Sequence, residues 1–160
     1  MRLRRATEAD LDRLFDLEAC SYPPGEAASR ETFSYRLRHA GEYFTLTADE
    51  DGRLVGLVCG TLATGNQLTT QCMREHVPAG TSLCIHSVVV DPALRRGGVG
   101  RDMVASYVER HRDAPEVERL LLICKQHLIA FYAGTGFELI GPSVVVHGQD
   151  PWFEMRLDYA

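Results

Sequence analysis

Two stretches of the chain carry residue types that do chemistry. The first runs Val88-Val-Val-Asp91-Pro-Ala-Leu-Arg95-Arg96-Gly97-Gly98-Val99-Gly100-Arg101. It reads as a strand, a turn and a glycine-rich entry to a helix. Gly97, Gly98 and Gly100 carry no Cβ, so the backbone can come close to a ligand. The first N–H groups of a helix lack partners within it, and the positive end of the helix dipole stands behind them, a geometry that binds phosphate. Arg95, Arg96 and Arg101 add charge-assisted donors. The plainer reading of the same residues is a glycine-rich loop ending in solvated arginines. Two other phosphate motifs are excluded: a Walker A loop needs Gly-Lys-Ser/Thr, and the dinucleotide fingerprint needs a third glycine where this chain has Met103. The second stretch is Cys84-Ile-His86. Residues two apart on a strand face the same way, so a thiol and an imidazole share one side. Histidine titrates near neutrality and suits a general base. A thiol next to it also suggests an acyl-enzyme, although neighbours on one strand make poor hydrogen-bond geometry. The plainer reading of His86 is a core imidazole bonded to backbone.

The elements that position these residues follow from pattern and punctuation. Residues 2–6 read as a short strand. Thr7 is placed to cap a helix whose first turn carries Glu8 and Asp10, and Leu11, Leu14, Phe15 and Leu17 follow at helical spacing. Ser21-Tyr-Pro-Pro-Gly25 breaks that helix. Ser29 caps a second one, with Thr32 at the capping-box position, and Gly41 ends it after Ala40. Strands are expected at 43–48 and 54–63, joined by the hairpin turn Asp49-Glu-Asp-Gly52. Residues 64–80 have no clear period and read as an insertion loop with one helical turn. A strand at 81–90, a helix at 98–112 and a strand at 118–124 look like a β-α-β crossover, which joins parallel strands. A short helix at 128–134 and strands at 137–140 and 152–157 complete the chain. The sum is an α/β fold with one mixed sheet of six or seven strands and helices on its faces.

Composition narrows the function classes. The chain has 160 residues, 45% hydrophobic and 24% charged, values of an ordinary globular domain. A single domain over residues 1–160 is expected. The net charge is −5, which weighs against nucleic-acid binding and suits a cationic small molecule. The longest apolar run, residues 120–124, is too short to span a bilayer, and the charged N-terminus has no secretory core. A cytoplasmic protein without a membrane partner is expected. The five cysteines, Cys20, Cys59, Cys72, Cys84 and Cys124, form no C-x-x-C pair, so they read as free thiols, most of them buried, and no metal site is expected.

Arg95-x-x-Gly98-x-Gly100 after a valine-rich strand resembles the acetyl-coenzyme A signature of the GCN5-related N-acetyltransferase (GNAT) superfamily. Within it the chain is most similar to the arylalkylamine (serotonin) N-acetyltransferases. The residues that carry the likeness are Ser21-Tyr-Pro, Glu26-Ala-Ala-Ser29, His76-Val-Pro-Ala-Gly80, Cys84-Ile-His86-Ser-Val-Val-Val90, the arginine–glycine loop, Phe131-Tyr132 and Gly136-Phe137. They extend from residue 21 to the C-terminal part of the chain.

The resemblance implies a GNAT fold with a splayed central parallel strand pair, here the strands at 81–90 and 118–124. It implies acetyl-coenzyme A (acetyl-CoA) as cosubstrate, without a metal. Backbone groups of Val88 and Val90 would pair with the pantetheine arm, and Arg95, Arg96, Gly97, Gly98, Val99, Gly100 and Arg101 would hold the pyrophosphate. His86 would take the proton from a primary amine and Tyr132 would protonate the departing thiolate. Where vertebrate members carry the first of two strand histidines this chain has Cys84, which puts more weight on His86 and water. The amine, an arylalkylamine or a related small amine, would lie against Tyr22, Pro23, Ile123 and Trp152. A monomer is expected. Because the strands begin and end close to the termini, no phospho-regulated tail is expected either. Two other readings stay open: an acyl-enzyme on Cys84 activated by His86, and a non-catalytic coenzyme A (CoA)-binding module. Tyr132, Tyr22 and Trp152 are also explicable as packing residues.

Overall fold

The computed structural model describes residues 1–159. Twelve elements follow one another along them: β1 (Arg2–Arg4), α1 (Leu11–Ser21), α2 (Arg30–Ala40), β2 (Phe44–Ala48), β3 (Leu54–Ala63), α3 (Thr70–Arg74), β4 (Ser82–Val90), α4 (Val99–Arg112), β5 (Arg119–Cys124), α5 (Ile129–Ala133), β6 (Glu138–Pro142) and β7 (Phe153–Asp158). The seven strands form a mixed sheet in the order β1-β2-β3-β4-β5-β7-β6. The chain folds into two compact units, Met1–Gly60 with Ser87–Tyr107, and Thr61–His86 with Val108 onward.

In the first unit, β1 pairs antiparallel with β2, and β2 with β3. Leu14 and Leu17 of α1 and Phe33 of α2 pack with Phe44, Leu46, Leu57, Cys59 and Val89 in one buried cluster. Burying a side chain of that size contributes about 1.5–3 kcal/mol each. The residue of β3 just before Leu57, Gly56, points the other way: a Cβ there would meet the Met103 sulfur of α4 at 2.6 Å. Helices therefore cover both faces of these strands, as alternation requires. The entry to α1 differs from the expectation. Thr7 precedes a 3₁₀ turn, Glu8–Asp10, and the α-helix begins only at Leu11. The reason is Asp10, whose carboxylate accepts the Thr7 N–H at 2.8 Å and both guanidinium nitrogens of Arg4 at 2.7 and 2.9 Å. α2 starts as the sequence indicates, with Ser29 Oγ accepting the Thr32 N–H at 3.1 Å.

In the second unit, β5 pairs antiparallel with β7 along its whole length, and β6 pairs with β7. β4 and β5 run parallel, but their ladder holds only Ser82 to Arg119, Leu83 to Leu120 and Cys84 to Leu121. That is the splayed pair. Ala63, Leu68, Cys72, Cys84, Leu121 and Val145 form the buried cluster on one side of these strands. The insertion carries α3, capped by Thr69, whose Oγ1 accepts the Cys72 N–H at 3.3 Å. The helix expected at 128–134 is split into a 3₁₀ turn, Gln126–Leu128, and α5. The last strand begins at Phe153, one residue after Trp152.

Gly80 closes the insertion against β3. A Cβ on it would lie 2.5 Å from the Ala63 carbonyl carbon and oxygen, which are backbone and cannot move aside. Gly80→Ala is expected to lower stability in urea by about 2 kcal/mol or more, the size of an overpacking penalty. Gly41→Ala, where a Cβ meets nothing within 4 Å, is the control and should be neutral or slightly stabilising.

Candidate active site

The glycine-rich loop lies in the first unit and is set in place by Asp91. Its Oδ2 accepts from Arg13 at 2.7 Å and from Arg53 at 3.3 Å, and its Oδ1 accepts the Ala93 N–H at 3.0 Å. Its own N–H donates to the Val55 carbonyl at 2.7 Å. Through its carboxylate and its N–H, Asp91 thus joins the end of β4 to α1, to β3 with the arginine just before it, and to the 3₁₀ turn Pro92–Leu94. The Ala93 N–H and the two arginines hold that carboxyl below the usual aspartate range. In the sequence Asp91 shows only as the residue before a proline at the end of a strand; its ion pair with a residue 78 positions away has no local signal.

From there the backbone turns sharply. Arg96 has φ 69° and Gly98 has φ +85°, both in the left-handed region that favours glycine. A Cβ on Gly98 would meet nothing within 4 Å, so the approach to the start of α4 is open. α4 has 14 residues, long enough for a dipole and a full set of first-turn N–H groups. Arg95, Arg96 and Arg101 are all exposed. The donors and the open backbone fit a pyrophosphate. Arg95 is already engaged, its Nε donating to the Val90 carbonyl at 3.1 Å and its Nη2 to Ser21 Oγ at 2.9 Å. Tyr22, the next residue, packs against the buried cluster of this unit. Burial, and then the charge of Glu18, push its hydroxyl above the usual phenol range, while a hydrogen bond from the Val88 N–H acts the other way. Tyr22 therefore sits on β4, at the backbone assigned to pantetheine. Pro23 is exposed.

The acid–base residues lie in the second unit. His86 is half-buried, and its Nε2 is 2.7 Å from Thr61 Oγ1 on β3. Thr61 Oγ1 also lies 3.3 Å from the Cys72 carbonyl, to which it can donate. A hydroxyl has one proton and can both donate and accept. It can give that proton to a bare Nε2, or turn it to Cys72 and accept from a protonated Nε2. Thr61 thus holds the ring both before and after proton uptake. Sequence reading missed Thr61, because its partner is 25 residues away on another strand. Cys84 is fully buried and hydrogen-bonds Cys72, which together with burial raises its thiol well above the ordinary range. Cys72 is the thiol that shifts down, chiefly through the Cys84 hydrogen bond. Glu154 of β7 is buried beside them, its Oε1 accepting the Leu68 N–H at 2.7 Å.

Tyr132 is buried in α5, edge-on to Phe131 and Phe137 with ring centroids 4.9 and 6.0 Å away. Its carbonyl accepts from Thr135 N, Thr135 Oγ1 and Phe137 N, at 3.0, 2.8 and 3.2 Å, so the end of the helix is firmly seated. Ile123 is half-buried and packs against the cluster that holds Cys84. Trp152 is less available as a pocket wall than its type indicates. Its indole N–H donates to the His147 carbonyl, and the Lys125 ammonium sits 5.7 Å above its ring while pairing with Asp150 at 3.1 Å. His76, one of the residues that carry the family likeness, accepts the Leu62 N–H on Nδ1 at 3.0 Å. No group of side chains suited to a metal ion occurs among the described residues. No helix among them is long and apolar enough to cross a membrane.

Residues 11–137 match the acetyltransferase (GNAT) family. The chain belongs to that family. Serotonin N-acetyltransferase of Mesocricetus auratus is 31% identical to it over 107 residues, 67% of this chain and 52% of that protein. The chain spans about half the length of the curated relatives it matches. Among solved structures, the GphF GNAT-like decarboxylase in complex with isobutyryl-CoA superposes with a TM-score of 0.86 and 20% identity over the whole of both chains. A GNAT phosphinothricin acetyltransferase from Sinorhizobium meliloti, in complex with AcCoA, superposes with a TM-score of 0.74 and 19% identity, covering 99% of this chain and 88% of that one. The seven-stranded mixed sheet with its splayed parallel pair is the fold of these GNAT proteins.

The Asp91 anchor gives the GNAT chain a testable acid sensitivity. A carboxyl lowered in the folded state stabilises above the unfolded value of about 3.9 and loses that contribution as pH falls through it toward the folded value. Urea melts between pH 6 and about pH 3 should show a smaller acid loss in Asp91→Asn than in the parent. The variant should also start less stable at pH 6, because two arginines lose their shared carboxylate.

Proposed function

We propose that the protein is an acetyl-CoA-dependent N-acetyltransferase that passes acetyl directly to a primary amine, an arylalkylamine or a related small amine. The observation that carries this reading is the turn from Val90 to Arg101, with its open Gly98 at φ +85° and three exposed arginines at the start of a long helix. The likeness to serotonin N-acetyltransferase supports the choice of amine.

The chemistry sets what the residues must do. An alkylammonium has a pKa of about 10.4, so near pH 7 only roughly one molecule in 10³ is nucleophilic, a deficit of about 4–5 kcal/mol. His86 takes that proton, directly or through water, and Thr61 holds the ring in either protonation state. The free amine attacks the thioester carbonyl, the tetrahedral adduct collapses, and the CoA thiolate leaves. Tyr132 protonates it. Phenol at about 10 against thiol at about 8.5 makes the transfer mildly uphill, so placement must help, and the seating of α5 supports that. Direct transfer is favoured over an acyl-enzyme on Cys84, because that thiol is fully buried and raised, the opposite of an activated nucleophile.

A second reading has an observation of its own. The Thr61–His86 pair puts two hydrogen-bonding groups 2.7 Å apart, and the full-length likeness to a GNAT-like decarboxylase supports a role in stabilising an enolate formed when a 2-carboxyacyl-CoA loses carbon dioxide. Incubation with such a thioester, followed by carbon dioxide release, separates the two: release without amine acetylation favours the decarboxylase.

Two outcomes test the main reading. Calorimetry should detect CoA binding that weakens with salt, and Arg101→Ala should raise Kd roughly ten- to a hundredfold, the loss of about 1.5–3 kcal/mol from a charge-assisted contact. Absence of any CoA binding by the folded protein would sink the proposal. With tryptamine or phenethylamine as acceptor, Tyr132→Phe should lower kcat roughly a hundredfold with little change in the KM for acetyl-CoA, and His86→Gln should remove the alkaline rise of the pH profile. Parent-like kinetics in both variants would refute the assigned roles.

A further inference from the structure

The segment His76-Val-Pro-Ala-Gly80 carries part of the family likeness, yet no step of the proposed transfer uses it. It ends the insertion of the second unit. Pro78 takes the second place of a turn that Gly80 closes, the Gly80 N–H donating to the Val77 carbonyl at 2.8 Å. Proline presets the backbone for that place. The turn holds the segment against β3. The Val77 N–H donates to the Leu62 carbonyl at 2.9 Å, and the Leu62 N–H donates to Nδ1 of the half-buried His76 ring at 3.0 Å. Leu62 is buried, so both of its backbone groups need partners. An imidazole nitrogen accepts only when it carries no proton, so this bond places the ring's proton on Nε2. The insertion thus grips three consecutive residues of β3. The Cys72 carbonyl lies 3.3 Å from Thr61 Oγ1, His76 and Val77 take Leu62, and Gly80 packs on Ala63.

We propose that His76 is a positioning residue for His86. It acts through two neighbours in the chain: its ring fixes the peptide N–H of Leu62, and the residue before Leu62 is Thr61, whose hydroxyl stands 2.7 Å from His86 Nε2. A slip of about 1 Å in β3 takes that hydroxyl out of hydrogen-bond range. Without the acceptor on His76, the Leu62 N–H is left buried and unpaired, a costly state that the chain relieves by moving toward water. Thr61 moves with it, and the His86 ring loses the group that holds it before and after proton uptake. The acceptor must come from a side chain at residue 76, because the backbone of this segment is already spent on the Leu62 carbonyl and on its own turn. Asparagine offers an amide oxygen close to where Nδ1 stands; leucine has a similar bulk and offers none. The consequence for acetyl transfer rests on the proposed function, and the link between the two rings does not.

Nitrogen-15 spectra of the histidine rings in the parent protein, at about pH 8 where free histidine is neutral, are the first test. The expected result is a His76 ring with its proton on Nε2 and a bare Nδ1 coupled to the Leu62 amide. A ring protonated on Nδ1 would overturn the proposal, and this readout does not depend on how well any variant folds. His76→Leu should shift the His86 ring signals and lower kcat for acetyl transfer roughly ten- to a hundredfold, the cost of a misplaced group. The KM for acetyl-CoA should stay within about twofold. His76→Asn should bring both the signals and kcat back close to the parent. In a His86→Gln background, His76→Leu should cost less than about a further twofold, because the group through which it acts is gone. Equal losses in both backgrounds, unmoved His86 signals, or no rescue by asparagine would overturn the proposal. If the His86 signals move and asparagine restores them while the parent acetylates no amine, the link between the rings stands and the proposed function falls.

Discussion

The ladder between β4 and β5 lasts for three residue pairs and then stops, while both strands continue. Backbone N–H and C=O groups demand partners, and strand groups that lose a neighbouring strand must find them elsewhere. The structure shows several ways of meeting that demand. Within the first unit the Val90 carbonyl is taken by Arg95 and the Val88 N–H by Tyr22. Within the second, side chains add to the polar line: the Thr61 hydroxyl lies 2.7 Å from His86 Nε2 and 3.3 Å from the Cys72 carbonyl. A short parallel ladder thus creates a line of polar groups along one strand, which is what an extended ligand with amide groups can read. An unbroken ladder would leave the same sequence with nothing to offer such a ligand.

The two units solve a positioning problem with different physics. At the glycine-rich loop, a charged anchor does the work: Asp91 is held by two guanidiniums and gives its own N–H to β3, so the turn that follows starts from a fixed point. Around His86 the means are neutral hydrogen bonds among buried groups, where a single hydroxyl serves two partners. In low-dielectric surroundings such networks are stiff when satisfied and costly when broken. This is why the insertion that carries α3, although it looks like a loose excursion, matters to the strand beneath it. The tight fit of Gly80 on Ala63 keeps it there.

Much of this was legible in the residues. β3 falls where its Val/Leu/Thr-rich run and the hairpin turn place it, Ser29 caps α2, and the loop at 95–101 could be read as a phosphate turn because glycine and arginine act through local backbone geometry. The separation of the parallel strands came only through likeness to a family, since nothing in a strand's composition says where its neighbour leaves. The partners of the chemical residues were hidden for a related reason. Thr61 is one threonine in a Val/Leu/Thr strand, and only the folded register brings its hydroxyl to His86. Cys84 was read beside His86, its neighbour in sequence, while its hydrogen-bond partner is Cys72. Trp152 reads as a pocket wall by type, yet Lys125 occupies the region above its ring.

Lys125 is the only lysine in the chain, and every other permanently basic side chain is arginine. Guanidinium groups stay protonated at any pH a cell reaches and are poor nucleophiles compared with a free amine. Under the proposed acetyl transfer, the chain therefore carries almost no side-chain amine of its own to be blocked. The arginines of the glycine-rich loop keep their charge whatever they meet, and the one lysine is clamped to Asp150, three residues before β7.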